Sequence, residues 1–222
     1  EELFRTARDI YGKVARAESI LKDKKDKPSG ELRVTASVGI GSTWLTPRLK
    51  EFIEVYPDIC VDLILEDRSL DLGMREADIA LRLQKATQPD LIQRRLFSGG
   101  YHIYASVGYL DKFGTPATME ALREHKIVLY GAHTDLPFKF MNYIEQGGDP
   151  RARPIQPVLR INSIYGILKA VESGIGIAAL PDYTAFGNER VVRILREVEA
   201  PIMETYFVYP EELRNSMRVA VF

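Results

Sequence analysis

Leu32-Arg33-Val34-Thr35-Ala36-Ser37, then Gly39-Ile40-Gly41-Ser42, then the run from Leu45 to Tyr56 read as a strand, a glycine-permitted turn and a helix. Pro47 falls in the first helical turn, where its fixed φ suits the helix and its missing N–H costs nothing. Leu45, Leu49, Phe52, Ile53 and Tyr56 recur on one face, which is expected to be buried. Cys60 to Glu66 follows as a second strand, Leu70 to Glu76 as a short helix, and Asp78-Ile79-Ala80-Leu81-Arg82 as a third strand. This βαβαβ order calls for a parallel sheet flanked by helices, because strands joined by crossover helices run the same way.

A second series starts near Gly99. Tyr101 to Ser106 reads as a strand, Thr118 to Glu124 as a helix, and Ile127 to Tyr130 and Val158 to Ile161 as strands. Ser163 to Ser173 reads as a helix with Ile164, Ile167, Leu168 and Val171 on its apolar face, closed by Gly174 and followed by the strand Ile175 to Leu180. Pro181 ends that strand; Val191 to Leu195 and Ile202 to Tyr209 are further strands, and Glu211 opens a helix. Two α/β lobes in sequence are the simplest account.

Composition agrees. The 222 residues suit two modest lobes, since single cores stop growing at about 100 to 200 residues. With 45% hydrophobic and 27% charged residues, the chain is of ordinary globular type. Its longest apolar runs, Ile175 to Leu180 and Ile202 to Tyr209, fall short of the roughly 20 residues that cross a bilayer, so no membrane partner is expected. The single cysteine, Cys60, excludes an intrachain disulfide; a buried strand thiol and a reducing, cytoplasmic setting are expected. Thirty basic residues against 31 acidic give a net charge of -1, without the basic excess that phosphate-backbone binding requires.

Catalytic chemistry finds little footing. His102, His125 and His133 have no partners at metal-ligand spacing and read as structural or solvated. Gly39-Ile40-Gly41 lacks the third glycine of a dinucleotide fingerprint, and the adjacent pairs Glu66-Asp67 and Glu211-Glu212 do not define an acid–base pair. No metal, cofactor or catalytic residue is expected, and the chain does not read as an enzyme. Two strand-to-helix turns do carry polar groups: Ser42 and Thr43 in the first series, Asn162 and Ser163 in the second. Each is either an anion cradle of hydroxyls and first-turn amides or a plain set of helix N-caps. Tyr130, at the end of its strand, joins the candidate set. Arg68 and Arg82, after the second and third strands, either meet a ligand carboxylate or form surface ion pairs.

Residues 1 to 27 differ in kind. Leu3, Ala7, Ile10, Val14, Ala17 and Leu21 recur at the 3.5-residue period of a coiled-coil seam, amid charged neighbours, and the charge run Asp23 to Lys27 ends at Pro28-Ser29-Gly30. The stripe either dimerises or packs on its own domain.

In order, the chain shows Gly30-Glu31-Leu32-Arg33-Val34 after a charged helix, Leu45-Thr46-Pro47-Arg48-Leu49 with Phe52 and Tyr56-Pro57, and Asp78-Ile79-Ala80-Leu81-Arg82. Leu96, Tyr109-Leu110 with Gly114-Thr115-Pro116, Asn162-Ser163, Ala170-Val171, Gly174-Ile175-Gly176-Ile177 and Leu180-Pro181 follow. Together they resemble the effector-binding region of the LysR-type transcriptional regulators over residues 1 to about 210. The resemblance implies two Rossmann-like lobes of the type II periplasmic-binding-protein-like fold, with lobe I at 31–98 plus 205–222 and lobe II at 99–204. It implies a small effector, often a metabolite carboxylate, held between the lobes. It also implies that 1–27 ends a dimerising linker helix in a homo-oligomer, dimer or tetramer, and that DNA is contacted only through an N-terminal winged helix-turn-helix. Two departures stand out: Val107-Gly108 replaces a proline common before the family's Tyr-Leu, and Thr134 to Pro154 matches no readable pattern.

Overall fold

The computed structural model describes residues 6, 27–67, 72, 76–131 and 140–222. Leu3, Ala7, Ile10, Val14, Ala17, Leu21 and Arg68 lie outside the described residues, as does most of the expected helix Leu70 to Glu76. Two compact units form. The first holds the described residues through Ser37 with Leu45–Phe97 and Glu204–Phe222; the second holds Val38–Trp44 and Ser98–Met203. The segment 38–44, which the sequence places in the first lobe, thus belongs to the second unit.

In the first unit, β1 (Gly30–Ala36) pairs in parallel with β2 (Ile59–Leu65) and β3 (Ile79–Arg82). Strand alternation sends Leu32 and Val34 into the core, at 1% and 0% exposure, while Glu31 and Arg33 face out. The antiparallel strand β9 (Ile202–Pro210) flanks β3, with β4 (Leu91–Ser106) beyond it, so the expected parallel sheet becomes mixed. Leu72, Ala77, Ala80, Tyr206 and Val208 form one apolar cluster. The chain passes between the units inside β4 and inside β9.

In the second unit, β4 pairs antiparallel with β7 (Ala178–Pro181) and β8 (Val191–Ile194), and β5 (Val128–Tyr130) pairs in parallel with β6 (Leu159–Ile161). A bridge from Ile127 to Ile177 aligns β5 with β7.

Several expectations need correction. Cys60 is exposed, because β2 is the sheet's edge strand and Cys60 alternates outward from buried Ile59. In the helix α2 (Thr46–Val55) no residue is fully buried, and Ile53 is 48% exposed. The helix also starts earlier than read: α1 (Val38–Ile40) and the wide π-turn Gly41–Leu45 run directly into it. A helix α3 (Val107–Phe113), capped by Ser106, was not read from the sequence at all. The strand Ile175 to Leu180 contracts to β7, and Thr118 to Glu124 to the tight turn Glu120–Glu124.

Candidate functional site

The helix α4 (Ile164–Glu172) organises the second unit's polar face. Ile164, Ile167, Leu168 and Val171 are buried as the periodicity requires, so the helix start is fixed against the unit's interior. Ser163 is its N-cap: extended at φ -141, ψ 127, it accepts from the Gly166 amide at 3.5 Å through its hydroxyl, and its carbonyl takes the Ile167 amide at 2.9 Å. Asn162, one residue earlier, is exposed.

Ser42 and Thr43 do not start a helix. Both sit inside the π-turn, and the Thr43 hydroxyl donates back to the Gly39 carbonyl at 2.8 Å. The residue preceding α2 is Leu45, with no side-chain cap. The N-cap reading therefore holds for Ser163 and fails for Ser42 and Thr43. π-turns inside helices cluster at functional sites, because the extra residue widens the backbone there. The preceding α1 lies against α4: a Cβ at Gly39 would stand 3.1 Å from the Ile164 side chain and 3.5 Å from the Tyr183 hydroxyl. A side chain there would press on Ile164, which would have to give way by a few tenths of an ångström.

Tyr130 registers with Ile161, beside Asn162 and Ser163. Its backbone is clamped by Asn142, whose Oδ1 accepts from the Tyr130 amide at 2.9 Å and whose Nδ2 donates to the Tyr130 carbonyl at 3.0 Å. Gly39 of α1 thus lies against the first residue of α4, and Tyr130 ends a strand in register with Ile161, the residue before Asn162 and Ser163. Arg82 belongs to the first unit, where its Nη1 lies 3.5 Å from Gln88 Oε1.

Sequence reasoning missed the phenols here. Tyr101, on β4, is 1% exposed and its hydroxyl makes no hydrogen bond among the described residues. Burial pushes its ionisation well above the usual phenol range, and Tyr183, Tyr130 and Tyr143 add to the shift. Tyr143 is likewise raised by burial, to about 12. The Phe140 ring meets Tyr101 edge-on at 5.6 Å. These phenols keep their protons at physiological pH, so each hydroxyl is able to donate a hydrogen bond as well as accept one.

Asp182, at the start of α5 (Asp182–Ala185), was also missed. Its Oδ1 meets His102 Nδ1 at 2.6 Å and accepts from the Tyr104 hydroxyl at 2.9 Å; its Oδ2 accepts from the Gly100 amide at 3.1 Å. Burial, then the Asp182 hydrogen bond, hold the Tyr104 phenol far above its ordinary ionisation range. With its oxygens so engaged, this carboxylate ties β4 to α5. No signal short of the fold links residues 102 and 182. Among the described residues, no cluster of three or more His, Cys, Asp or Glu side chains is arranged to hold a metal ion, and no helix is long and apolar enough to cross a membrane.

Residues 25–222 match the family model described as the LysR substrate binding domain. The chain is 31% identical over 186 residues to an HTH-type transcriptional regulator of Xanthomonas campestris, covering 83% of this chain and 53% of that protein. It is 30% identical over 225 residues to the HTH-type regulator CrgA of Neisseria meningitidis, covering 100% of this chain and 74% of CrgA. The solved CrgA regulatory domain superposes with a TM-score of 0.74 at 26% identity, covering 88% of this chain and 96% of that domain. The fold is the type II periplasmic-binding-protein-like α/β fold of LysR regulatory domains, and the chain spans only part of the length of its full-length relatives. The resemblance drawn from the motifs is borne out: this chain belongs to the LysR substrate binding domain family, the regulatory domain of a family of transcriptional regulators rather than enzymes.

Proposed function

We propose that the second unit binds a small effector at the start of α4, and that the ligand carries a hydrogen-bond acceptor, with anionic metabolites first among the class. The observation that carries this is the buried Tyr101 hydroxyl, which makes no hydrogen bond among the described residues and whose ionisation Tyr183 and Tyr130 help to raise, with the Tyr183 hydroxyl beside Gly39. An unpaired buried donor is costly, so an acceptor that reaches it gains more than it would at a solvated group. The α4 macrodipole adds a partial positive charge at the same end. Ser42, Thr43, Tyr130, Asn162 and Ser163 complete the proposed set.

Such a ligand regulates only through its differential affinity for two states of the domain. DNA contact is proposed for a winged helix-turn-helix N-terminal to this domain, as the relatives' names as HTH-type regulators support. Homo-oligomerisation is proposed through the Leu3 to Leu21 stripe.

A library of small carboxylates and related neutral metabolites, screened by thermal shift, tests the proposal. A ligand at about 100 times its Kd stabilises the chain by about 2.7 kcal/mol. Calorimetry on a hit is expected to show about tenfold weaker binding to Tyr101→Phe, equivalent to about 1.4 kcal/mol for one hydrogen bond. Equal binding to wild type and variant would remove Tyr101 from the site.

A further inference from the structure

At the opposite end of β1 from the Gly39 turn, in the first unit, a second set of contacts converges where the chain enters the sheet. Gly30, the first residue of β1, has φ +103, a conformation that side chains other than glycine rarely adopt, and its amide bonds the Asp58 carbonyl at 2.9 Å. Arg218, on the helix α6 (Met217–Val221), is 8% exposed and donates through Nη1 to the Glu31 carbonyl. The same Nη1 stands 3.3 Å from where a Gly30 Cβ would be. The Asp78 carboxylate feels the charges of Arg218 and Arg33 and accepts from the Arg33 amide at 2.9 Å. Phe222, after α6, packs edge-on against Phe52 of α2 at 5.0 Å and stacks with Phe207 of β9 at 6.4 Å.

A buried guanidinium is a demanding way to fasten a five-residue helix that two aromatic contacts already hold. Its Nη1 goes to the backbone of the residue after Gly30. We infer that Arg218 is a positioning residue that fixes the direction in which the chain enters β1, so that α6 and residues 27–29 move as one body. On the reading above, in which DNA contact lies N-terminal to this domain, that direction is what a change in the regulatory domain has to alter.

Distances between paired nitroxide labels, measured by pulsed electron resonance without any ligand, test this. In a Cys60→Ser background, labels at Lys27→Cys and Glu211→Cys report the entry direction; labels at Glu51→Cys and Glu211→Cys report the unit itself. The wild-type background is expected to give one narrow population for each pair. Arg218→Gln is expected to add a second population to the 27–211 pair while leaving 51–211 unchanged, and Arg218→Lys, which keeps the charge and a donor, to restore most of the narrow one. Gly30→Ala, which strains the same junction from the other side, is expected to act like Arg218→Gln and carries the test if that variant does not fold. An unchanged 27–211 distribution in a folded variant, or equal broadening of both pairs, would overturn the inference. Because no ligand is used, failure of the effector proposal leaves this result independent.

Discussion

The two units solve the same packing problem with different materials. The first closes over an apolar cluster of Leu72, Ala77, Ala80, Tyr206 and Val208, and places ion pairs such as Arg33–Glu31 and Arg95–Glu204 near its surface. The second gathers its polar groups around phenols: Asp182 with His102 and Tyr104, Asn142 on the Tyr130 backbone, and Tyr101, whose hydroxyl makes no hydrogen bond among the described residues. Interior polar groups cost stability unless paired, and each unit keeps a buried hydroxyl with no hydrogen bond among the described residues, Thr205 in the first and Tyr101 in the second; what sets the second apart is that other phenols gather around Tyr101.

That contrast is breakable by mutation. The largest effect is expected in the first unit, where Leu32→Ala removes a side chain 1% exposed and should cost about 2–5 kcal/mol in urea unfolding. A smaller loss, about 1–3 kcal/mol, is expected from Asp182→Ala, because the Tyr104 hydroxyl, His102 and the Gly100 amide lose their acceptor while the half-open site lets water replace part of it. Ser163→Ala should cost about 0.5–1 kcal/mol, at the low end for a cap with so long a bond. Tyr101→Phe is expected to leave unliganded stability within about 0.5 kcal/mol of wild type or to raise it, since its hydroxyl makes no hydrogen bond among the described residues. A loss of more than 1 kcal/mol there, in round numbers about that of an ordinary hydrogen bond, would show the hydroxyl to be paired and erase the contrast.

The smallest effect concerns pH. Burial raises the Asp78 carboxyl above its ordinary 3.8, against the pull of the Arg33 amide and Arg218. The folded state therefore holds that proton more tightly than the unfolded chain. Its contribution is fully present below the ordinary value and is lost as pH rises through the raised one. Melting curves at pH 3.5 and 6.5 should accordingly show Asp78→Asn gaining relative to wild type as pH rises; a gain in the opposite direction would mean that the arginines outweigh burial.

Much of this was legible in the sequence. Period-two strands such as Leu32 to Ala36 and the apolar face of Ser163 to Ser173 report local burial, and both elements stand where the pattern put them. Exposure of Cys60 was not legible, because edge position in a sheet is a property of topology and not of the strand's own residues. The same holds for the site. Ser163 announces itself as a cap beside an apolar run, whereas Tyr101, Tyr143 and Tyr183 lie on separate elements, β4, the 140–146 turn and α5, and are brought near one another only by the fold. The π-turn at Ser42 and Thr43 was misread as a helix start because glycine, serine and threonine favour both.

The central claim is that an effector binds the second unit at the start of α4, and backbone chemical-shift mapping of a thermal-shift hit on the labelled chain tests it most directly. The account predicts perturbations concentrated at Tyr101, Tyr130, Asn162, Ser163 and Tyr183, and weakened saturation of the same signals in Tyr101→Phe. Perturbations confined to the first unit, or a hit that saturates wild type and Tyr101→Phe alike, would contradict it.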